Sequence, residues 1–185
     1  MIYPIVAYGS PVLKKKALPV TPDYPELKTL IQSMFDTMYD SAGVGLAAPQ
    51  INFSIRLFVV DGEPFSDEEP TLVKFKKVFI NPEMIDESGN KWKFNEGCLS
   101  IPGVREDVDR HSVVHLKYMD ENFVEHTETF DGIAARIIQH EYDHLEGVLF
   151  TDRLSPLKRQ LLKGKLNDIS RGKVNVDYKM KFMSK

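Results

Sequence analysis

The strongest constraint in the sequence is the segment Gly132 to Leu145, which reads as a helix carrying His140-Glu141-Tyr142-Asp143-His144. At 3.6 residues per turn, positions 140 and 144 lie about 40° apart around the helix and about 6 Å apart along its axis. Two imidazoles so placed can share one metal ion. Glu141, at the edge of the same face, reaches a water on such an ion without being a ligand. Ile133 and Ile137 fall on that face too, N-terminal to the histidines, and form an apolar floor. The helix thus supplies two ligands, a base and a pocket wall, and the rest of the fold has to bring a third ligand to it.

Known third-ligand patterns narrow the choice. The extended metzincin motif needs a histidine six residues after His144; Gly147 is in register for it, but the last position is Phe150. Thermolysin-like enzymes take a glutamate from a later helix, and no glutamate follows Glu146. The ligand must therefore come from upstream. The chain has one cysteine, Cys98, in Glu96-Gly97-Cys98-Leu99-Ser100-Ile101-Pro102-Gly103. Glycine and turn residues around it place the thiol at a bend or strand edge, whereas a purely core cysteine more often sits inside an apolar run. A thiolate with two imidazoles leaves a fourth position open, as catalytic metal sites require. A lone cysteine also excludes an intramolecular disulfide and suits a reducing compartment.

The remaining chain reads as one α+β domain: short antiparallel strands packed around a central H-E-x-x-H helix, 185 residues in all. Five prolines in the first 25 residues make that segment extended. Glu26 to Tyr39 has the apolar spacing of a helix, and Asp61 to Pro70 reads as an acidic surface loop. Strand runs occupy 55–60, 77–80, 113–118 and 123–128, the last two joined as a hairpin. Ser155-Pro156 begins a third helix ending near Gly164, and 173–180 alternates as a strand does. No run is long enough for a membrane helix, and the N-terminal apolar run precedes its basic cluster, opposite to a secretory signal, so cytoplasmic residence is expected.

Charge is uneven although the net charge is only -3. From Lys158 onward nine lysines and arginines face only Asp168 and Asp177, leaving an acidic body. Such a segment is either a solvated basic helix or a contact to an anionic partner such as RNA. Nothing indicates recognition of a specific nucleic-acid sequence. Gly43-Val44-Gly45-Leu46-Ala47-Ala48-Pro49-Gln50 has two glycines that either end a helix or admit a close backbone approach. It lacks the G-x-G-x-x-G of a dinucleotide site.

The three segments G-V-G-L-A-A-P-Q, E-G-C-L-S and Q-H-E-Y-D-H, in this order, resemble the signature motifs of peptide deformylases, and Pro4 to Leu13 resembles that family's N-terminus. The likeness spans most of Met1 to Ser155 and implies a single catalytic domain over 1–185, with a core of 1–155. Residues 156–185 would be a variable basic helix and terminal strand. It implies a metallohydrolase that removes the formyl group from N-formyl-methionyl nascent chains. By motif position Cys98, His140 and His144 would hold the metal, and Glu141 would be general acid and base. Gln50 and the Leu99 N–H would stabilise the oxyanion. Gly43, Val44, Gly45, Gly97, Arg105, Ile133 and Ile137 would bind substrate, and Arg110 would pair with Glu96. Cys/His₂ ligation suits zinc, iron(II), nickel or cobalt; the resemblance implies iron(II), with zinc a common replacement. The basic C-terminal segment would be a ribosome contact. The competing readings are a general metallopeptidase and a non-catalytic metal-binding module. Arg136, one turn before His140, either snorkels away or narrows the pocket entrance.

Overall fold

The computed structural model describes residues 1–183. Strands and helices follow in the order β1 (Ile5–Val6), α1 (Leu27–Asp40), β2 (Gly45–Ala47), β3 (Leu57–Asp61), β4 (Lys76–Cys98), β5 (Ile101–Met119) and β6 (Glu125–Asp131). α2 (Gly132–Leu145), α3 (Pro156–Ser170) and β7 (Met180–Lys181) complete the chain. Strands β2 to β6 form one antiparallel sheet in sequence order, while β1 and β7 pair in parallel as a separate two-stranded sheet. The fold is α+β, as the sequence pattern indicates.

The two helices with clear periodicity fall where expected. α1 buries Leu27, Leu30, Ile31, Met34, Phe35 and Met38 along one face. Its end is a left-handed Ala42, after which the Gly43 N–H returns to the Met38 carbonyl at 2.9 Å. α2 is encased rather than amphipathic: all of its residues except Gly132, His140 and Tyr142 are buried. Its N-terminus is held from outside the helix, where the Glu69 carboxylate accepts the Ile133 N–H at 2.9 Å. A carboxylate there satisfies an orphan donor and opposes the positive end of the helix dipole.

Three sequence expectations need correction. The strand expected at 77–80 does not stop at Asn81-Pro82 but continues to Cys98, because four register shifts absorb the residues that look like strand breakers. Asn81 adopts a left-handed conformation at one of them and exchanges two 2.7 Å hydrogen bonds with the Val20 backbone. β4 and β5 are consequently long strands, forming a ribbon that reverses at Leu99-Ser100, with Cys98 opposite Ile101. α3 passes the expected stop at Gly164 and ends at Ser170, since Leu166 and Ile169 on its last turns are buried. The tail at 173–180 is not a strand: only Met180 and Lys181 find a partner, in β1. Ser155 does cap α3, accepting the Lys158 N–H.

Candidate metal centre

Three elements converge on one point. α2 brings His140 and His144, the tip of the β4–β5 ribbon brings Cys98, and the segment after α1 brings Gly43 to Gln50. The ligating atoms of Cys98, His140 and His144 all lie within 4.8 Å of one another, with Cys98 Sγ 3.4 Å from His144 Nε2. One soft thiolate and two imidazoles form a donor set suited to a divalent transition metal. One further observation fits an ion here: the buried Oε2 of Glu141, beside the ligands, has no hydrogen-bond partner among the described residues. Burial opposes a charge on His140, yet the neighbouring Cys98 and the Glu96 and Glu141 carboxyls hold its pKa well above the usual histidine range. Burial and the neighbouring His140 charge hold His144, by contrast, well below that range. Nε2 of His144 faces Cys98, and its buried Nδ1, the other ring nitrogen, has no partner among the described residues.

The orientation of His140 is set from behind. Its Nδ1 lies 3.0 Å from Glu96 Oε2, which leaves Nε2 directed to the site. Glu96 is itself gripped by Arg110, Nε to Oε1 at 2.7 Å and Nη2 to Oε2 at 2.9 Å. The expected Glu96–Arg110 pair is thus present, and it is buried. Burial alone would raise the Glu96 pKa, but His140 and Arg110 outweigh it and hold the carboxyl well below the usual range. Arg110 also bonds Asp143 at 2.7 Å, which Arg153 grips from the surface side. Arg136 neither snorkels nor swings across the pocket mouth. It is buried at 2 % exposure, donates to Glu96 and to the carbonyls of Trp92 and Val108, and lies over the Trp92 ring at 4.7 Å.

The reacting groups sit on the other side of the ligands. Burial pushes the Glu141 carboxyl up to about 7. A Cβ at Gly45 would stand 2.4 Å from Glu141 Oε1, so a glycine at 45 permits a close approach of backbone to the carboxylate. Of the two meanings open to this glycine pair, Gly43 closes the end of α1 and Gly45 makes the close approach. Gln50 is buried; its Oε1 accepts the Ala47 N–H at 2.9 Å, which aims Nε2 at Cys98 Sγ and Ser100 Oγ, both 3.5 Å away.

A cavity of about 620 Å³ opens onto these groups. Its wall contains Gly43, Val44, Gly45, Gln50, Gly97, Cys98, Leu99, Arg105, Ile137, His140 and Glu141, together with Arg136 and Phe94. Arg105 is exposed at the rim and is tied to Asn95. Ile133 is not in the wall; it packs in the core beneath, against the sheet. His144 lies buried under the other ligands. Sequence reasoning missed Asp143, Arg153 and Tyr178. Asp143 stands inside the H-E-x-x-H segment and its charge was visible there; Tyr178, which lines the cavity from the tail, had no local signal.

The family model described as Polypeptide deformylase matches residues 2–160. A peptide deformylase of Christiangramia forsetii is 57% identical, the match covering 98% of this chain and 96% of that one. That of Flavobacterium johnsoniae is 55% identical over the same shares. Among solved structures, a peptide deformylase from Legionella pneumophila superposes with a TM-score of 0.80 at 42% identity, covering 94% of this chain and 98% of the other. One from Synechococcus elongatus, in complex with actinonin, gives 0.77 at 37% identity, covering 97% and 92%.

Proposed function

The chain belongs to the polypeptide deformylase family, and from that premise we propose that Cys98, His140 and His144 hold one divalent metal ion while Glu141, Gln50 and Leu99 carry the chemistry. The protein is a metallohydrolase that removes the N-formyl group from the N-terminal methionine of newly made chains and releases formate. The observation that carries the residue assignment is the convergence of three ligating atoms within 4.8 Å beside a buried carboxylate atom that lacks a protein partner.

When bound, the ion supplies Lewis acidity, lowering the pKa of water and polarising a carbonyl. Glu141 takes the proton from the attacking water and later gives it to the methionine nitrogen as the C–N bond breaks. The Gln50 amide, aimed by its bond to Ala47, and the Leu99 N–H donate to the formyl oxygen as it gains negative charge. Losing one such donor typically lowers the rate by about 10²–10³. Gly45 and Gly97 offer backbone to the substrate peptide, Arg105 stands at the rim, and Val44 and Ile137 line the space for the methionine side chain. Gly43 leaves room for the Leu99 side chain, since a Cβ there would meet Leu99 Cδ1 at 2.9 Å. Ile133 supports this wall from the core. Iron(II) is the native ion in this reading, and zinc, nickel or cobalt can replace it.

Metal-loaded protein should release formate from a formyl-methionyl peptide, and Cys98→Ser should abolish both metal retention and turnover. Absence of formate from the loaded, unaltered chain would overturn the assignment.

The functional unit is the whole chain. It works as one catalytic domain in the cytoplasm, with 1–155 as the core and 156–185 as a variable basic C-terminal segment that contacts the ribosome. No helix among the described residues is long and apolar enough to cross a membrane. On α3, Lys158 is paired with Glu106, whereas Arg159 and Lys163, one turn apart, make no ion pair among the described residues. Replacing Arg159 and Lys163 by glutamate should weaken salt-dependent ribosome binding and leave turnover of a free peptide unchanged. Unchanged ribosome binding would remove this part of the reading.

A further inference from the structure

The metal thiolate and the Leu99 N–H ride on a two-residue reversal, Leu99-Ser100, at the tip of the β4–β5 ribbon. A tip this short has no regular ladder beyond it, so its orientation depends on tethers from other parts of the chain. Three are present. The Tyr8 N–H donates to the Ser100 carbonyl at 2.8 Å. Gln50 Nε2 approaches Ser100 Oγ at 3.5 Å. The Tyr178 hydroxyl donates to the Leu99 carbonyl at 2.7 Å.

Two of these tethers come from the opposite ends of the chain, and those ends are joined to each other. The Ile5 N–H bonds the Lys179 carbonyl at 2.8 Å and the Ala7 N–H bonds the Lys181 carbonyl at 2.9 Å, which makes the parallel β1–β7 pair. Directly beside that pair, Tyr8 and Tyr178 each send one donor to adjacent carbonyls of the tip. The Tyr178 ring is half-buried against the main core and forms part of the cavity wall, so its hydroxyl is held rather than free. The tail is otherwise irregular from Arg171 to Lys179, and Tyr178 is its one side chain bonded to the catalytic tip.

We propose that Tyr178 is a positioning residue for deformylation: by donating to the Leu99 carbonyl it fixes the Leu99-Ser100 reversal and thereby the direction of the Leu99 N–H and the Cys98 sulfur. This rests on the reading of Leu99 as an oxyanion donor. The Leu99 N–H and carbonyl belong to successive peptide units, so anchoring the carbonyl restrains the rotation that would turn the N–H away from the formyl oxygen. The hydroxyl's hydrogen bond among the described residues goes to the Leu99 carbonyl and to no metal-ligand atom. Its effect falls on the transition state, where the charge on the formyl oxygen develops, and not on ground-state binding of the peptide.

The test is Tyr178→Phe, which keeps the ring and removes only the donor. Because the Leu99 N–H stays in place but loses one of three tethers, kcat should fall about tenfold, a fraction of the 10²–10³ expected for losing a donor outright. KM for a formyl-methionyl peptide should stay within about twofold, since ground-state binding is untouched. Amide hydrogen exchange at Leu99 and Ser100 should quicken while the β3–β4 ladder is unchanged, a readout independent of turnover. Val174→Ala is the control, because Val174 packs the same tail into the core without touching the cavity; it should leave kcat unchanged. The proposal is overturned if Tyr178→Phe retains kcat, if exchange at the tip does not change, or if Val174→Ala lowers kcat equally. Failure of the parent chain to release formate would instead count against the functional reading.

Discussion

Gly45→Ala isolates the tightest contact of the site. The added Cβ would stand 2.4 Å from Glu141 Oε1 and 2.8 Å from both Glu141 Cδ and Cγ, where ordinary contact begins at about 3.4 Å. The carboxylate must therefore withdraw by about 1 Å, and rotation of its end group cannot relieve the clash, because the methylene is also too close. The backbone cannot yield, so the carboxylate must swing into the cavity that both residues line. Gly45 is locked in β2 opposite Val60, and Glu141 is 4 % exposed on an encased helix. Overpacking of this kind destabilises a fold by about 1–3 kcal/mol. A displacement near 1 Å at a reacting group lowers the rate by about 10²-fold. The variant should thus fold, bind metal through ligands it does not touch, and release formate about a hundred times more slowly. Denaturant titration, metal analysis and a formate assay read these separately. Turnover within about threefold of the parent, with metal bound, would refute the placement of Glu141 as the proton carrier.

Two other perturbations probe the support of the site. Glu96→Ala strips the partner from buried Arg110 and Arg136 together; stability should drop by about 3–5 kcal/mol in chemical unfolding. Metal affinity should fall about 10–100-fold in a chelator competition, because His140 loses the acceptor for Nδ1, and retention of parental affinity would contradict that orienting role. At Tyr39, burial and the 2.5 Å bond to Asp61 raise the phenol above the usual tyrosine range. The folded state then holds that proton more tightly than the unfolded chain, so the contribution is complete below the unfolded pKa of about 10 and is lost as pH rises past it. Melting temperature should decline more steeply between pH 9 and pH 11 in the parent than in Tyr39→Phe, and parallel slopes would count against it.

How much could be read in advance depended on how local the cause was. α2 was legible to the residue, because its apolar spacing, its histidines and the following Glu146-Gly147 all act within a few turns. The long strands were not. Asn81-Pro82 and Gly89-Asn90 are turn residues by local chemistry, and only pairing with β5 makes them bulges within one strand. The alternation at 173–180 signalled a strand that a lack of partners does not permit, since β1 offers only Ile5 and Val6. Arg136 was misread for a related reason. Its side chain was weighed against solvent and pocket, whereas its acceptors lie 28 to 44 residues away on the ribbon.

Those acceptors explain why a guanidinium can lie so deep beside a metal centre. Glu96 Oε1 receives Arg110 Nε and Arg136 Nη1, while Oε2 receives Arg110 Nη2 and His140 Nδ1. Four donors fill the four acceptor positions of one carboxylate, so no position remains for a water to compete with the histidine. Glu96 and Asp143 face Arg110 and Arg136, all at 5 % exposure or less, and Arg153 adds a third guanidinium to Asp143 from the surface side. Buried ion pairs are weak contributors to net stability, and this cluster follows a different logic. With two arginines already bonded to it, Glu96 holds the imidazole in one orientation through a single fixed hydrogen bond at Nδ1. An aliphatic residue at 136 would leave Glu96 Oε1 with one donor and Arg110 as the one guanidinium on this carboxylate.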